Sequence, residues 1–107
     1  MFIALYHWKI KDGQEERFRE GWHRRTEEIY RKCGSFGSRL HRAEDGTFVA
    51  YAQWEKRKDW EKMQQSTALE DKEAREMMLD SIEISFPDVY MNIVDDLLKT
   101  EKFANEA

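Results

Sequence analysis

The sequence predicts an α+β fold in the element order β-α-β-β-α-β. Three observations carry that expectation. An apolar run without helical period opens the chain at residues 2–10, two later stretches place apolar residues at helical spacing, and residues 35–55 read as a hairpin. In the ferredoxin-like arrangement this order becomes one four-stranded antiparallel sheet with its helices on one side. The 107 residues, 40% of them hydrophobic and 13% aromatic, are the length of a single domain. That domain is assigned to residues 1–94, and 95–107 to a tail.

The first strand is FIALYHWKI at 2–10, ended by the turn residues Lys11-Asp12-Gly13. Its alternating sets are Phe2, Ala4, Tyr6, Trp8 and Ile3, Leu5, His7, Lys9. Neither set is uniformly polar, so both faces expect a cover. From Gln14 to Lys32 the period becomes helical: Phe18, Trp22, Ile29 and Cys33 share a stripe, with Arg25 and Thr26 in its gap, and Gly34 is the expected stop.

The hairpin joins 35–42 to 47–55 around Glu44-Asp45-Gly46. If Ala43 and Thr47 close the turn, Leu40, Phe48, Ala50, Ala52 and Trp54 share one side. Arg39, His41, Val49, Tyr51 and Gln53 then share the other. A two-residue turn would instead slip the partner strand by one and exchange its faces.

A second helical region begins near Arg57 with Trp60 and Met63 inward. Thr67-Ala68-Leu69-Glu70 reads as a capping box after a break, opening a helix to about Glu83 on Ala74, Met77, Met78 and Ile82. Pro87 precedes a last strand at 89–94. The tail, with Leu97, Leu98 and Phe103, is expected to form a short helix or an arm onto a partner.

Eighteen basic and 22 acidic residues are interspersed, for a net charge of -4, which argues against nucleic acid as a partner. Cys33 is alone, so no intrachain disulfide or cysteine-rich metal site is expected, and a reducing, cytoplasmic setting suits it. Residues 1–6 lack a basic region and a cleavage site and read as a strand, and no apolar run is long enough to cross a membrane. The three histidines are scattered, which supports no metal, and no glycine-rich nucleotide loop occurs. A ferredoxin-like sheet leaves one face open, and here that face stays rich in aromatic and aliphatic residues. A second copy is the expected cover, giving a homodimer through the open faces.

The segments YHWKIKDG (6–13), GSRLHRAEDGTFVAYAQW (37–54) and KRKDW (56–60) resemble the antibiotic biosynthesis monooxygenase family of the dimeric α+β barrel superfamily. The resemblance runs to about Val94. It implies a sheet-to-sheet dimer with a pocket between each sheet and its helices. It also implies oxidation of a phenolic substrate by molecular oxygen without metal or flavin, or, in a related branch, haem breakdown. The haem branch has an asparagine, a tryptophan and a histidine where this chain has Tyr6, Met63 and Glu73. All three are absent, which argues against that mode.

Oxidation without a cofactor needs an apolar enclosure, a proton acceptor and a donor that stabilises an anion. On that reading Arg39 stabilises a phenolate or peroxide charge, and His41 or His7 accepts a proton. Tyr51 and Gln53 orient substrate oxygens. Tyr6, Trp8, Trp22, Trp60 and Met63 line the site of a small aromatic molecule. Each has a plainer role beside it: His7 as a packed strand residue, His41 and His23 as solvated side chains, Arg39 in an ion pair, and the tryptophans as core. The alternative for the whole chain is a dimeric small-molecule-binding or stress-related protein without turnover.

Overall fold

The computed structural model describes residues 1–104. Eight elements follow one another: β1 Phe2–Ile10, α1 Glu15–Cys33, β2 Ser38–Arg42, β3 Phe48–Trp54, α2 Arg57–Gln64, α3 Lys72–Asp80, β4 Ile82–Ser85 and β5 Val89–Asn92. The sheet runs β2-β3-β1-β4, and β5 also pairs with β1. All pairings are antiparallel, so the α+β fold class stands.

The expected fourth strand is two strands that share one edge of β1. β4 pairs with Trp8–Ile10, β5 with Phe2–Leu5, and Phe86-Pro87-Asp88 joins them. The sheet therefore has five strands, and Ile82 belongs to one of them rather than to a helix. Its spacing from Met78 fits a helix, but Ile82-Glu83-Ile84-Ser85 has the period of a strand, and four residues cannot separate the two patterns. The helix stops because Ser81 Oγ turns back to donate to Met77 O at 2.6 Å while Ser81 O accepts from Lys11 N at 2.9 Å.

The opening of α3 also departs from expectation. Asp71, not Thr67, caps it, accepting from Ala74 N at 3.0 Å. The reason is long-range: the buried carboxylate of Glu28 on α1 accepts from Glu70 N at 2.9 Å and Asp71 N at 3.3 Å. Glu70 is thereby drawn to α1 and cannot close a box with Thr67. No helix forms over residues 95–104, and 105–107 of the expected tail lie outside the described residues.

Ala43 N donates to Thr47 O at 2.8 Å, and Arg39 lies opposite Tyr51 and Leu40 opposite Ala50, so the hairpin has the wider of the two turns considered. With β1 in register, Phe2, Ala4, Tyr6 and Trp8 share a face with Leu40, Phe48, Ala50, Ala52 and Trp54. The helices cover this face. Two apolar clusters form beneath them, one around Phe2, Ala4, Trp54 and Met63, the other around Trp8, Phe18, Phe48 and Ala50.

Gly34 ends α1 in the left-handed conformation, φ 74°, as expected. Gly21 has a different reason: a Cβ there would lie 2.6 Å from Ala74 O and 2.8 Å from Met78 N. These are backbone atoms, so α1 and α3 must separate to admit it. Gly21→Ala is expected to cost about 2 kcal/mol and lower Tm by roughly 10 °C in thermal unfolding. A shift under about 2 °C would mean that the helices move apart freely.

Candidate functional site

Between the two core clusters lies a cavity of about 200 Å³. Its wall is largely aromatic and aliphatic: Tyr6 and Trp8 from β1, Trp22 and Ile29 from α1, Trp54 from β3 and Met63 from α2. A space of this size and lining suits one small aromatic ring system.

The polar groups on that wall have few partners. Tyr6 Oη accepts from Trp60 Nε1 at 2.9 Å, so its own proton is free to be donated. Burial pushes the Tyr6 hydroxyl above its ordinary pKa, which keeps it a donor at neutral pH. Trp60 holds Tyr6 from behind and packs at a tilt against Phe2 and Tyr90, outside the lining itself. Ser38 Oγ and Trp54 Nε1 are both fully buried, and among the described residues neither has a hydrogen-bond partner. Both residues line the cavity. An indole N–H can only donate, and a buried donor without an acceptor costs about 1–3 kcal/mol.

Arg25 brings a charge to the same wall. It lies on the apolar stripe of α1, and burial, followed by the nearby Arg75, pulls its pKa below the usual guanidinium value. Arg24, one position earlier, is held bidentately by Asp71 at 2.8 and 3.1 Å, whereas Arg25 has no ion pair among the described residues. Among the described residues no histidine or carboxylate lines the cavity.

The residues expected to form one site are split by the sheet. Tyr6, Trp8, Trp22 and Met63 line the cavity, with Trp60 behind Tyr6. Arg39, His41, His7, Tyr51 and Gln53 lie on the opposite, helix-free face. Within one chain the guanidinium at this cavity is that of Arg25, and Arg39 lies across the sheet from it. Arg39 and His41 are exposed, and His41 Nδ1 lies 3.1 Å from Val49 O. His7 is fixed on that face by Thr47 Oγ1 at 2.8 Å and by stacking on Phe86 at 4.3 Å. Thr47 Oγ1 donates to Asp45 at 2.6 Å, so it accepts from His7, whose proton is assigned to Nε2. His23 instead faces a broad outer cleft with Glu16, Glu20 and Arg42.

Residue type alone passes over Ser38 and the indole N–H of Trp54. Arg25 had a signal, being a cation in line with Phe18, Trp22 and Ile29. Among the described residues no three potential ligands are grouped to hold a metal ion, and no helix is long and apolar enough to cross a membrane. Glu73, at the position where the haem branch has its histidine, pairs with Arg24 at 3.1 Å.

The model of the antibiotic biosynthesis monooxygenase family matches residues 1–75. Comparison with curated proteins gives no significant match. Among solved structures, a variant of SnoaB, a cofactor-independent oxygenase from Streptomyces nogalater, superposes with a TM-score of 0.74 at 14% identity, covering 92% of this chain and 97% of that one. A Nitrosomonas europaea protein, named as a candidate antibiotic biosynthesis monooxygenase, gives 0.71 at 18% identity over 89% and 100%. Rv0793 from Mycobacterium tuberculosis gives 0.71 at 10% identity over 91% and 98%. At such identities the likeness is one of fold.

Proposed function

We propose, since the chain belongs to the antibiotic biosynthesis monooxygenase family, that it oxidises a small phenolic or quinol-like substrate with molecular oxygen and without a cofactor. The observation that carries this reading is an aromatic cavity two of whose lining residues, Ser38 and Trp54, hold a buried polar atom without a partner among the described residues. The substrate oxygen accepts from both and ionises, its anion stabilised where water is scarce. The electron-rich ring then reduces oxygen. At an activated ring CH₂ a C–O bond forms to give a hydroperoxide, which loses water to leave a carbonyl. The substrate supplies all four electrons, and one oxygen atom of O₂ enters the product. A cavity of about 200 Å³ supports a single ring system and leaves little room for a flavin beside it.

In this reading the phenolic proton passes to solvent, since among the described residues the lining has neither histidine nor carboxylate. Oxygen uptake should therefore rise with pH to a plateau whose midpoint follows the phenol's own pKa across a substituted series. A midpoint fixed near one value for every substrate would place the acceptor on the protein instead. The primary test is oxygen consumption with one- and two-ring quinols, with ¹⁸O₂ labelling of the product. Saturable binding without uptake would favour the small-molecule-binding alternative.

In the same reading a second copy covers the open sheet face, placing Arg39, His41, His7, Tyr51 and Gln53 at the interface. Val94, Leu97, Leu98 and Phe103, each more than four-fifths exposed, supply the arm. The single Cys33 supports a place in the cytoplasm.

A further inference from the structure

Arg25, Met63 and Gln64 belong to two spaces at once. On one side is the aromatic cavity; on the other is an outer cleft of about 430 Å³, whose remaining walls are Ser66, Leu69, Lys72, Arg75 and Glu76. The outer cleft thus gathers three cations and one carboxylate in a chain whose net charge is -4. Arg25, Lys72 and Arg75 have no ion pair among the described residues, although α1 and α3 pair Arg24 with Asp71 and Arg17 with Asp80 close by. Arg75 stands near enough to Arg25 to disfavour its charge, so an anion between them relieves both. The inner wall offers neutral donors and the junction offers guanidinium groups, an arrangement that separates two kinds of oxygen along one ligand.

We propose that the substrate is an aromatic acid: its ring and phenolic oxygen enter the inner cavity, while an ionised carboxylate is held by Arg25 at the junction, with Arg75 and Lys72 beyond it. This rests on the reading of the inner cavity as the substrate site and adds the substrate's second functional group. A planar carboxylate matches the fork of a guanidinium. Glu76 on the cleft wall favours a monoanion over a doubly charged phosphate. The cations also attract the anion toward this entrance, an effect that salt screens.

The test measures binding through quenching of tryptophan fluorescence, since Trp8, Trp22 and Trp54 line the cavity. The probes are 6-hydroxy-2-naphthoate, its methyl ester and 2-naphthol. The acid should bind about tenfold or more tightly than the ester or the naphthol at low salt, as expected of a charge-assisted hydrogen bond. That ratio should fall toward one in Arg25→Gln, and in Arg75→Gln, whose exposed site on α3 spares the fold if the first variant is unstable. Equal binding of acid and ester, a ratio that survives both variants, or no binding of any probe would overturn the proposal. Tight, arginine-dependent binding of the acid without oxygen uptake supports it and overturns only the oxidation reading. Uptake that is equally fast with neutral quinols does the reverse.

Discussion

Trp54→Phe should lower kcat for a phenolic substrate about a hundredfold while KM changes by less than about threefold, the pattern of a group that acts chiefly in the transition state. Trp54 is only 1% exposed, and its N–H has no partner among the described residues. Phenylalanine keeps an aromatic body in the cluster with Phe2, Ala4 and Met63 but offers no donor. The stability cost should be small for so large a core residue, within about 1 kcal/mol, because the lost packing is offset by removal of an unsatisfied buried N–H. Activity and stability are thereby separated: an idle indole would give a small change in both. Ser38→Ala should produce a loss of similar size in kcat, and the double variant should lose less than the product of the two, since both donors serve one oxygen. Steady-state oxygen uptake and thermal unfolding of the same preparations decide the matter. A fall in kcat of under about threefold in either single variant would remove that donor from the reacting oxygen.

The turn chemistry and alternation of residues 37–54 made the hairpin and its facing sets legible in the sequence. Which set the helices cover was not legible. Phe48, Ala50, Ala52 and Trp54 are scarcely more apolar than Val49, Tyr51 and Gln53, and β1 places Trp8 and Tyr6 against Leu5 and Ile3. Without contrast between the faces, the choice falls to long-range packing by α1 and α3. The site was obscured for a second reason. Arginine, histidine and tyrosine attract attention by residue type, yet Arg39, His41 and Tyr51 share the helix-free face. The cavity's unpaired donors are a serine and an indole, which read as ordinary strand and core residues. Arg25 was readable as a misfit on an apolar stripe, but its neighbour Arg75 comes from a helix fifty residues away. The start of α3 failed in the same manner, because the capping-box pattern is local and the Glu28 bonds that override it span more than forty residues.

Those bonds lead to the second large effect. Glu28→Ala should cost about 2 kcal/mol at neutral pH and lower Tm by roughly 10 °C. The residue is 6% exposed, and its carboxylate serves the amides of Glu70 and Asp71 as well as Lys32 Nζ at 2.9 Å. Lys32 is about one-third exposed, so the ion pair contributes little, and the backbone donors carry most of the effect. Their release also loosens Asp71, which caps α3 and holds Arg24. The amide of Glu70, with Lys32 and the Asp71 amide, holds the Glu28 carboxyl below its ordinary pKa against the opposing effect of burial. A carboxylate whose pKa is lower in the folded chain stabilises it fully above the unfolded value of about 4.3, and that contribution fades as pH falls through the lower folded value. The gap in stability between the native chain and Glu28→Ala should therefore be constant from pH 7 to about 5 and shrink below 4. Glu28→Gln, which keeps one acceptor oxygen, should show about half the loss. Urea unfolding of the three proteins at pH 7, 5 and 3.5 measures this, and a gap that stays unchanged at the lowest pH would assign the cost to lost packing rather than to the ionised carboxylate.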